Sequence, residues 1–137
     1  MLFPHDSVSD DVALRLMVPG DDTLALHARL RYDPNDPYAV EATFRAGGES
    51  IAWVLGRELL SAGLREATGE GDVRAWPESA EGADLVMIQL RSAQGHATLA
   101  TEAPALQGFL ARTYELVPRG QEAKHLELDD VVERLLS

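Results

Sequence analysis

Four histidines are the side chains of this sequence best suited to hold a metal ion or carry a proton at neutral pH. They are His5, His27, His96 and His125. No two of them have HxH or HxxxH spacing, so a metal site would need carboxylates from distant parts of the chain. No Gly-x-Ser-x-Gly elbow is present, and the lack of cysteine excludes a cysteine nucleophile and a cysteine zinc site. The sequence therefore predicts no catalytic residue, no metal ion and no cofactor.

Two further groups have residue types that occur in active sites. Gly69-Glu70-Gly71 suggests a phosphate-binding loop, but it lacks a third glycine and a Walker lysine, and its acidic residues would repel phosphate. These glycines are better interpreted as turn residues. Asp129, Asp130 and Glu133 could pair as acid and base, but near the start of a predicted helix they suit its cap and dipole. We therefore expect that the chain is not an enzyme.

The charge of the chain disfavours polyanionic partners. Twelve basic and 23 acidic residues give a net charge of −11, whereas nucleic-acid binding and anionic membranes both require clustered cations. The arginines are scattered along the sequence, at Arg15, Arg29, Arg31, Arg45, Arg57, Arg65, Arg74, Arg91, Arg112, Arg119 and Arg134. We expect no binding to nucleic acid, and contact with a membrane only through a partner protein.

The length and composition indicate one domain over residues 1–137. At 45% hydrophobic residues the chain can build a core, and 137 residues suit one core better than two. The first residues have neither a basic start nor a long apolar run, so they do not read as a signal peptide. No apolar run approaches the ~20 residues of a membrane-spanning helix. With no cysteine, these features favour the cytoplasm.

Alternating apolar and polar residues predict about seven strands. Gly47-Gly48 is a hairpin turn, Pro77 is expected to end its strand, and Asp84–Arg91, apolar on both faces, is expected to be central. The predicted strands are Asp11–Val18, Leu24–Arg31, Tyr38–Arg45, Ile51–Leu55, Val73–Pro77, Asp84–Arg91 and His96–Thr101.

Helical spacing replaces this alternation in three places. Gly56–Gly63 predicts a short helix, and a second starts near Thr101 or Glu102, contains Pro104 in its first turn, and runs to Val117. His125–Leu128 is expected to be extended, with Asp129 capping a last helix to Leu136. Its buried side is predicted to comprise Val131, Val132, Leu135 and Leu136. Strands followed by helices indicate an α+β fold with antiparallel sheets.

A doubled Asx-Pro corner, Asp33-Pro34-Asn35-Asp36-Pro37, joins the second and third strands. Each proline keeps the residue before it extended, and each Asx side chain can accept a hydrogen bond from a backbone N–H two residues on. Asp36, Pro37 and Tyr38 are candidates for docking a partner protein, because rigid loops often carry function. The simpler interpretation is that the corner only fixes the angle between its strands.

Trp53 and Trp76 are the other candidate partner-binding residues, because tryptophan is enriched at interaction hot spots. Both lie in predicted strands, so the alternative is a place in the core or at a subunit interface.

An ordered set of motifs resembles the SsgA-like family of sporulation and cell division proteins of actinobacteria. The match extends from about Val12 to the final helix, and its order is more specific than any one piece. The pieces are Leu30-Arg31-Tyr32, Asp36-Pro37-Tyr38-Ala39-Val40, Phe44, Trp53, Arg57-Glu58-Leu59-Leu60, Gly63-Leu64, Gly69–Val73, Trp76-Pro77, Leu90–Gly95, Phe109–Thr113 and Val117–Gly120.

The resemblance implies a Whirly-like architecture with antiparallel sheets, C-terminal helices and an oligomer, expected to be a trimer. It implies a non-catalytic adaptor in septum-site selection or wall remodelling, located in the cytoplasm at division septa. Its implied partners are the tubulin-like division protein FtsZ or another member of the family. The polar start, residues 1–10, differs from the short start of the FtsZ-recruiting member. Because Whirly proteins bind single-stranded DNA, single-stranded nucleic-acid binding is the alternative function.

Overall fold

The computed structural model describes residues 7–20 and 22–136, without the side chains of residues 127–133. Eight strands and three helices occupy the described residues. The strands are β1 Val8–Met17, β2 Thr23–Tyr32, β3 Ala39–Ala46, β4 Glu49–Gly56, β5 Thr68–Glu70, β6 Val73–Ala80, β7 Ala83–Ser92 and β8 Gly95–Glu102. The helices are α1 Arg57–Gly63, α2 Ala103–Leu116 and α3 Glu122–Leu136.

All eight strands form one antiparallel sheet in the order β4-β3-β2-β1-β8-β7-β6-β5. Tight turns join most neighbours in each half, as at Gly47 and Gly48, whose positive φ values of 56° and 86° suit the predicted hairpin. β1 and β8 connect the halves through only two residue pairs, Arg15 with Ala100 and Leu16 with Leu99. The sheet therefore has two long-paired halves joined by a short ladder.

The core lies on the face of the sheet that packs against α1 and α2. Alternation along each strand sends every second side chain to this face, as in β2, where Leu26, Ala28 and Leu30 are buried. From α2, Leu106, Phe109 and Leu110 complete the core. The predicted α+β class with antiparallel pairing is confirmed.

The expectation of about seven strands was one too few. Thr68–Glu70, which lies outside every predicted strand, is the short strand β5, which pairs Thr68 with Ala75 and Glu70 with Val73 across a turn at Gly71. Gly71 has a φ of 63°, which lets the chain reverse within a few residues. Three residues are too few for alternation to be visible in a sequence.

Two details of the predicted strands were wrong. β6 does not end at Pro77 but continues to Ala80, pairing Pro77 with Val86. Beyond Ala75, β6 has a described partner only in β7, and a proline is tolerated where one side of a strand is open. Asp84–Arg91 lies within β7, an interior strand, but β1 and β8 are the central pair. The residues of β7 are apolar on both faces because both are buried near its middle, where Met87 is buried as well as Val86 and Ile88.

Helices α1 and α2 agree with the sequence analysis. Glu102 is the N-cap of α2, Pro104 lies in its first turn, and its buried residues recur at helical spacing, at Leu106, Phe109, Leu110 and Thr113. α1 begins directly after β4 and ends at Gly63. None of the helices in the described residues is long and apolar enough to cross a lipid bilayer.

The prediction for the last helix was wrong at its start and in the burial of its last residues, whereas its end at Leu136 is confirmed. His125–Leu128 is helical, and α3 begins at Glu122 rather than after an Asp129 cap. The Glu122 carboxylate accepts a hydrogen bond from the Gly120 N–H, and the helix starts eight residues earlier than an Asp129 cap would place it. Leu135 and Leu136 are exposed rather than buried. The side chains of Val131 and Val132 lie outside the described residues.

Gly63 lets α1 lie directly on β6. A Cβ at Gly63 would be 2.5 Å from the Cβ of Ala75, whereas a Cβ at Gly108 in α2 would meet nothing within 4 Å. We expect Gly63→Ala to destabilise the fold by about 1–3 kcal/mol through overpacking. Gly108→Ala, the matched control in a helix, should stabilise it by about 0.5–1 kcal/mol. Thermal and urea unfolding measure both, and equal effects of the two variants would contradict this packing.

Candidate partner-docking site

The Asx-Pro corner is a rigid loop. The Asp36 N–H donates to the Asp33 carbonyl at 2.9 Å, and the Ala39 N–H donates to the Asp36 carbonyl at 3.2 Å. The Asp33 Oδ1 accepts the Asn35 N–H at 2.9 Å, as predicted for an Asx turn. These bonds form two successive turns between β2 and β3. We define the corner as residues 33–38.

The inner side of the corner is anchored in the core. Pro34 and Pro37 are buried, and the hydroxyl of the fully buried Tyr32 donates a hydrogen bond of 2.9 Å to the Pro37 carbonyl. Burial raises the pKa of Tyr32 to about 12, against a smaller lowering by Arg57. The hydrogen bond from Tyr32 to the Pro37 carbonyl therefore supports the predicted role of Pro37 in fixing the corner.

Arg57 connects the corner to the C-terminal helices. Its side chain is 1% exposed, and one guanidinium nitrogen donates to the carbonyls of Thr113 at 3.1 Å and Val117 at 2.8 Å. The other terminal nitrogen donates to the Glu122 Oε2 at 3.0 Å. Its own backbone N–H donates to the Tyr38 carbonyl at 2.9 Å. One residue thereby links the corner, the end of α2 and the start of α3.

The Arg57 guanidinium is also enclosed by aromatic rings. It lies 4.8 Å from the centre of the Tyr32 ring and 4.1 Å from that of Tyr114. Arg119 covers the Tyr114 ring from 4.7 Å and pairs with Glu58, which also accepts the Tyr114 hydroxyl. The Arg57 Nε has no hydrogen-bond partner in the described part of the chain.

Glu122 supplies the negative charge of this buried pair. Burial alone would raise its pKa, but hydrogen bonds from the backbone N–H groups of Glu122 and Gly120, together with Arg57, outweigh burial and hold the pKa below its ordinary value. The pair therefore stays ionised at neutral pH. Its contribution to stability is present above pH ~4.5 and is lost as pH falls through the lowered pKa.

The outer side of the corner is open to solvent. Asp36 is exposed and the Tyr38 side chain is 54% exposed, although Tyr38 lies beside the anchored Pro37. A cleft of about 200 Å³ adjoins the corner. It is lined by Arg31, Asp33, Asp36, Ala39, Glu41 and Val54. An exposed aromatic ring thus lies on a fixed loop, beside an acidic cleft that the loop shares with β2, β3 and β4.

Trp53 lies on the strand beside the corner, and Trp76 does not. Trp53 is half-buried against the core from β4, which pairs with β3 and runs into Arg57. Trp76 is half-buried on β6, and four strands lie between β3 and β6 in the sheet. It points away from the core, because its neighbour Ala75 faces α1. The core interpretation thus holds in part for Trp53 and is wrong for Trp76.

The fold gathers arginines that are scattered in the sequence. Strand register puts Arg15, Arg29, Arg31 and Arg45 on the outer face of β1–β3. Acidic residues are interleaved with them, since Asp11 pairs with Arg29 and Glu41 pairs with Arg31 in the ladders. This face carries both signs of charge rather than a continuous basic surface.

No three histidine, aspartate or glutamate side chains are placed to share a metal ion within residues 7–20, 22–126 and 134–136.

Arg57 is the important residue that sequence reasoning missed as a site residue. Its position in the Arg57-Glu58-Leu59-Leu60 motif was noted, but its partners lie 56, 60 and 65 residues further along the chain. No local pattern reports contacts at such separations. An arginine directly after an apolar strand, among helix residues that should be buried, was the available signal.

The phenol of Tyr32 gives a direct test of the buried anchor. Among the three tyrosines of the chain, Tyr32 should titrate at about pH 12 by ultraviolet absorbance, and Tyr32→Phe should remove that step. The folded chain keeps this proton while the unfolded chain loses it near pH ~10, so stability should fall between these values. Loss of the hydrogen bond should cost Tyr32→Phe about 1–3 kcal/mol at neutral pH. An unchanged titration curve for the variant would contradict the anchor.

Comparison with known proteins gives a consistent result. The family model described as "Streptomyces sporulation and cell division protein, SsgA" matches residues 26–122. The chain is 46% identical to the sporulation-specific cell division protein SsgB of Streptomyces coelicolor, over 97% of this chain and 98% of that protein. Its identity to SsgB of Salinispora tropica is also 46%, over 96% and 94% of the two chains.

A solved structure agrees as well. The SsgA-like sporulation-specific cell division protein from Thermobifida fusca superposes with a TM-score of 0.92 at 41% identity, covering 98% of each chain. The fold, the corner motif and the full-length similarity converge, and the chain belongs to the SsgA-like family of sporulation and cell division proteins.

Proposed function

We propose that this protein is a non-catalytic adaptor in sporulation-specific cell division, which binds division proteins through the corner and the adjoining strand β4. Membership of the family supports the role in division. The single observation that supports binding at the corner is its construction. Asp36 and Tyr38 are exposed on a loop whose inner side is fixed by Tyr32 and Arg57. Fixing a loop in advance lowers the entropy cost of binding.

The partners proposed are FtsZ or another SsgA-like protein, and the place of action is the division septum on its cytoplasmic side. The protein is proposed to act as a homo-oligomer, with a trimer as the specific expectation, on a Whirly-like architecture. Protein partners fit better than nucleic acid, because the net charge is −11 and the outer arginines alternate with acids.

Deletion and complementation in the organism that encodes the chain test this proposal. Deletion should abolish or misplace sporulation septa, and the wild-type chain should restore them. Normal septation in the deletion strain would contradict a role in division. Light scattering on the purified protein should give the mass of a trimer, and a monomer at micromolar concentration would contradict the proposed oligomer.

A further inference from the structure

β4 is a free edge that lacks the usual protection against pairing with another chain. In the described part of the protein its only partner is β3, and all of its residues pair without a bulge. Between Glu49 and Arg57 the strand contains no charged residue and no proline. Natural sheets normally blunt such an edge with a charge, a proline, a bulge or a very short strand.

The opposite edge of the same sheet is protected. β5 is only three residues long and includes Glu70, and the part of β6 that it leaves uncovered contains Pro77. The contrast shows that this chain protects one edge and leaves β4 without a charge or a proline from Ser50 to Gly56. An open edge with no protection is expected where another strand pairs with it.

Apolar side chains flank the β4 edge on both faces of the sheet. Ile51 is 57% exposed and Val54 is 66% exposed, and alternation places them on opposite faces. An added strand would lie between these two rows and cover both. A segment with apolar residues on both faces, or with threonine and valine alternating, would fit.

The charges near the β4 edge favour an added segment that carries a positive charge at one end. At the Gly56 end of β4, the cleft beside Val54 contains three carboxylates and one arginine. The arginine, Arg31, already pairs with Asp33 at 3.4 Å. Asp36 and Glu41 make no ion pair with any residue that the structure describes. A lysine or arginine at the corresponding end of an added strand could form ion pairs with these two acids.

We propose that β4 binds an extended segment of a partner protein as an additional strand of the sheet, with an apolar middle and a lysine or arginine directed to Asp36 and Glu41. The proposal rests on the adaptor function and names the class of ligand for its site. A second copy of this chain is less suitable as the occupant, since it brings the same net charge of −11 to an acidic edge.

The probe for the test is a phage-displayed library of random dodecapeptides panned against the full-length protein. Enriched peptides should be apolar with a lysine or arginine near one end, and binding should slow amide hydrogen exchange in β4. Val54→Lys places a charge on the edge and should weaken their binding by about tenfold or more. Leu24→Lys, at a residue 53% exposed on β2 away from this edge, is the matched control and should leave binding unchanged.

Three results would overturn the proposal. They are the absence of enriched peptides, enriched peptides that bind Val54→Lys as well as wild type, and a Val54→Lys variant that loses self-association without any effect on peptides. The last result would assign the edge to a second copy. If Val54→Lys leaves peptide binding unchanged while corner variants lose septation, strand addition fails and the adaptor function stands.

Discussion

Replacing Arg57 with leucine is expected to lower the free energy of unfolding by about 3–5 kcal/mol, because removing one member of a buried ion pair leaves the other without compensation. Glu122 would keep a buried negative charge, and the carbonyls of Thr113 and Val117 would lose their donor. Chemical and thermal unfolding measure the loss. The variant should also lose the part of the acid-dependent stability that comes from the Arg57–Glu122 pair, since Glu122 loses this partner.

Two controls distinguish the effect of breaking the buried Arg57–Glu122 pair from the effect of removing any arginine. Arg119→Leu removes a cation that also covers Tyr114 but is exposed, so it should cost at most about 1 kcal/mol. The double variant Arg57→Leu/Glu122→Leu should be less destabilised than the sum of its single variants, because it leaves no unpaired charge. Equal losses in Arg57→Leu and Arg119→Leu would contradict the assigned role of Arg57.

Changing the exposed side of the corner is expected to abolish septation while leaving the fold intact. The double variant Asp36→Lys/Tyr38→Ala reverses one charge and removes one exposed ring, and truncation of an aromatic hot spot costs about 2 kcal/mol or more of binding. Both side chains are exposed, so stability should change by about 0.5 kcal/mol or less. Counting septa in a deletion strain that expresses the variant measures the effect.

Glu78→Lys is the matched control, because Glu78 is exposed on β6, far from the corner in the sheet. Like Asp36→Lys, it replaces an exposed carboxylate with a lysine. Cells expressing it should septate normally. Normal septation with the double corner variant, at wild-type protein levels, would contradict the assignment of the corner as the docking site.

The strands were predictable because one face of the sheet is buried and the other meets water. In β2 this produces a clear period of two, from Leu24 to Leu30, and tight turns at Gly47-Gly48 mark the hairpins. The helix α2 was equally clear from its stripe and from Pro104. These features are local, so a single sequence carries them.

The parts that were missed depend on distant contacts. α3 starts at Glu122 because that carboxylate meets Arg57 and the Gly120 N–H, which a local cap at Asp129 could not indicate. Trp76 points away from the core because β6 packs Ala75 against Gly63. At the candidate site, the corner was found from its prolines, whereas its anchor through Tyr32 and Arg57 needed the three-dimensional structure.

The central claim is that this protein acts by presenting the corner and β4 to other proteins. Cross-linking in sporulating cells, followed by purification and quantitative mass spectrometry, tests it most directly with wild type, Asp36→Lys/Tyr38→Ala and Glu78→Lys side by side. We predict that division proteins such as FtsZ or another family member are enriched with wild type and with Glu78→Lys, and are reduced about tenfold or more with the corner variant. The same proteins in the same amounts with all three would contradict the claim.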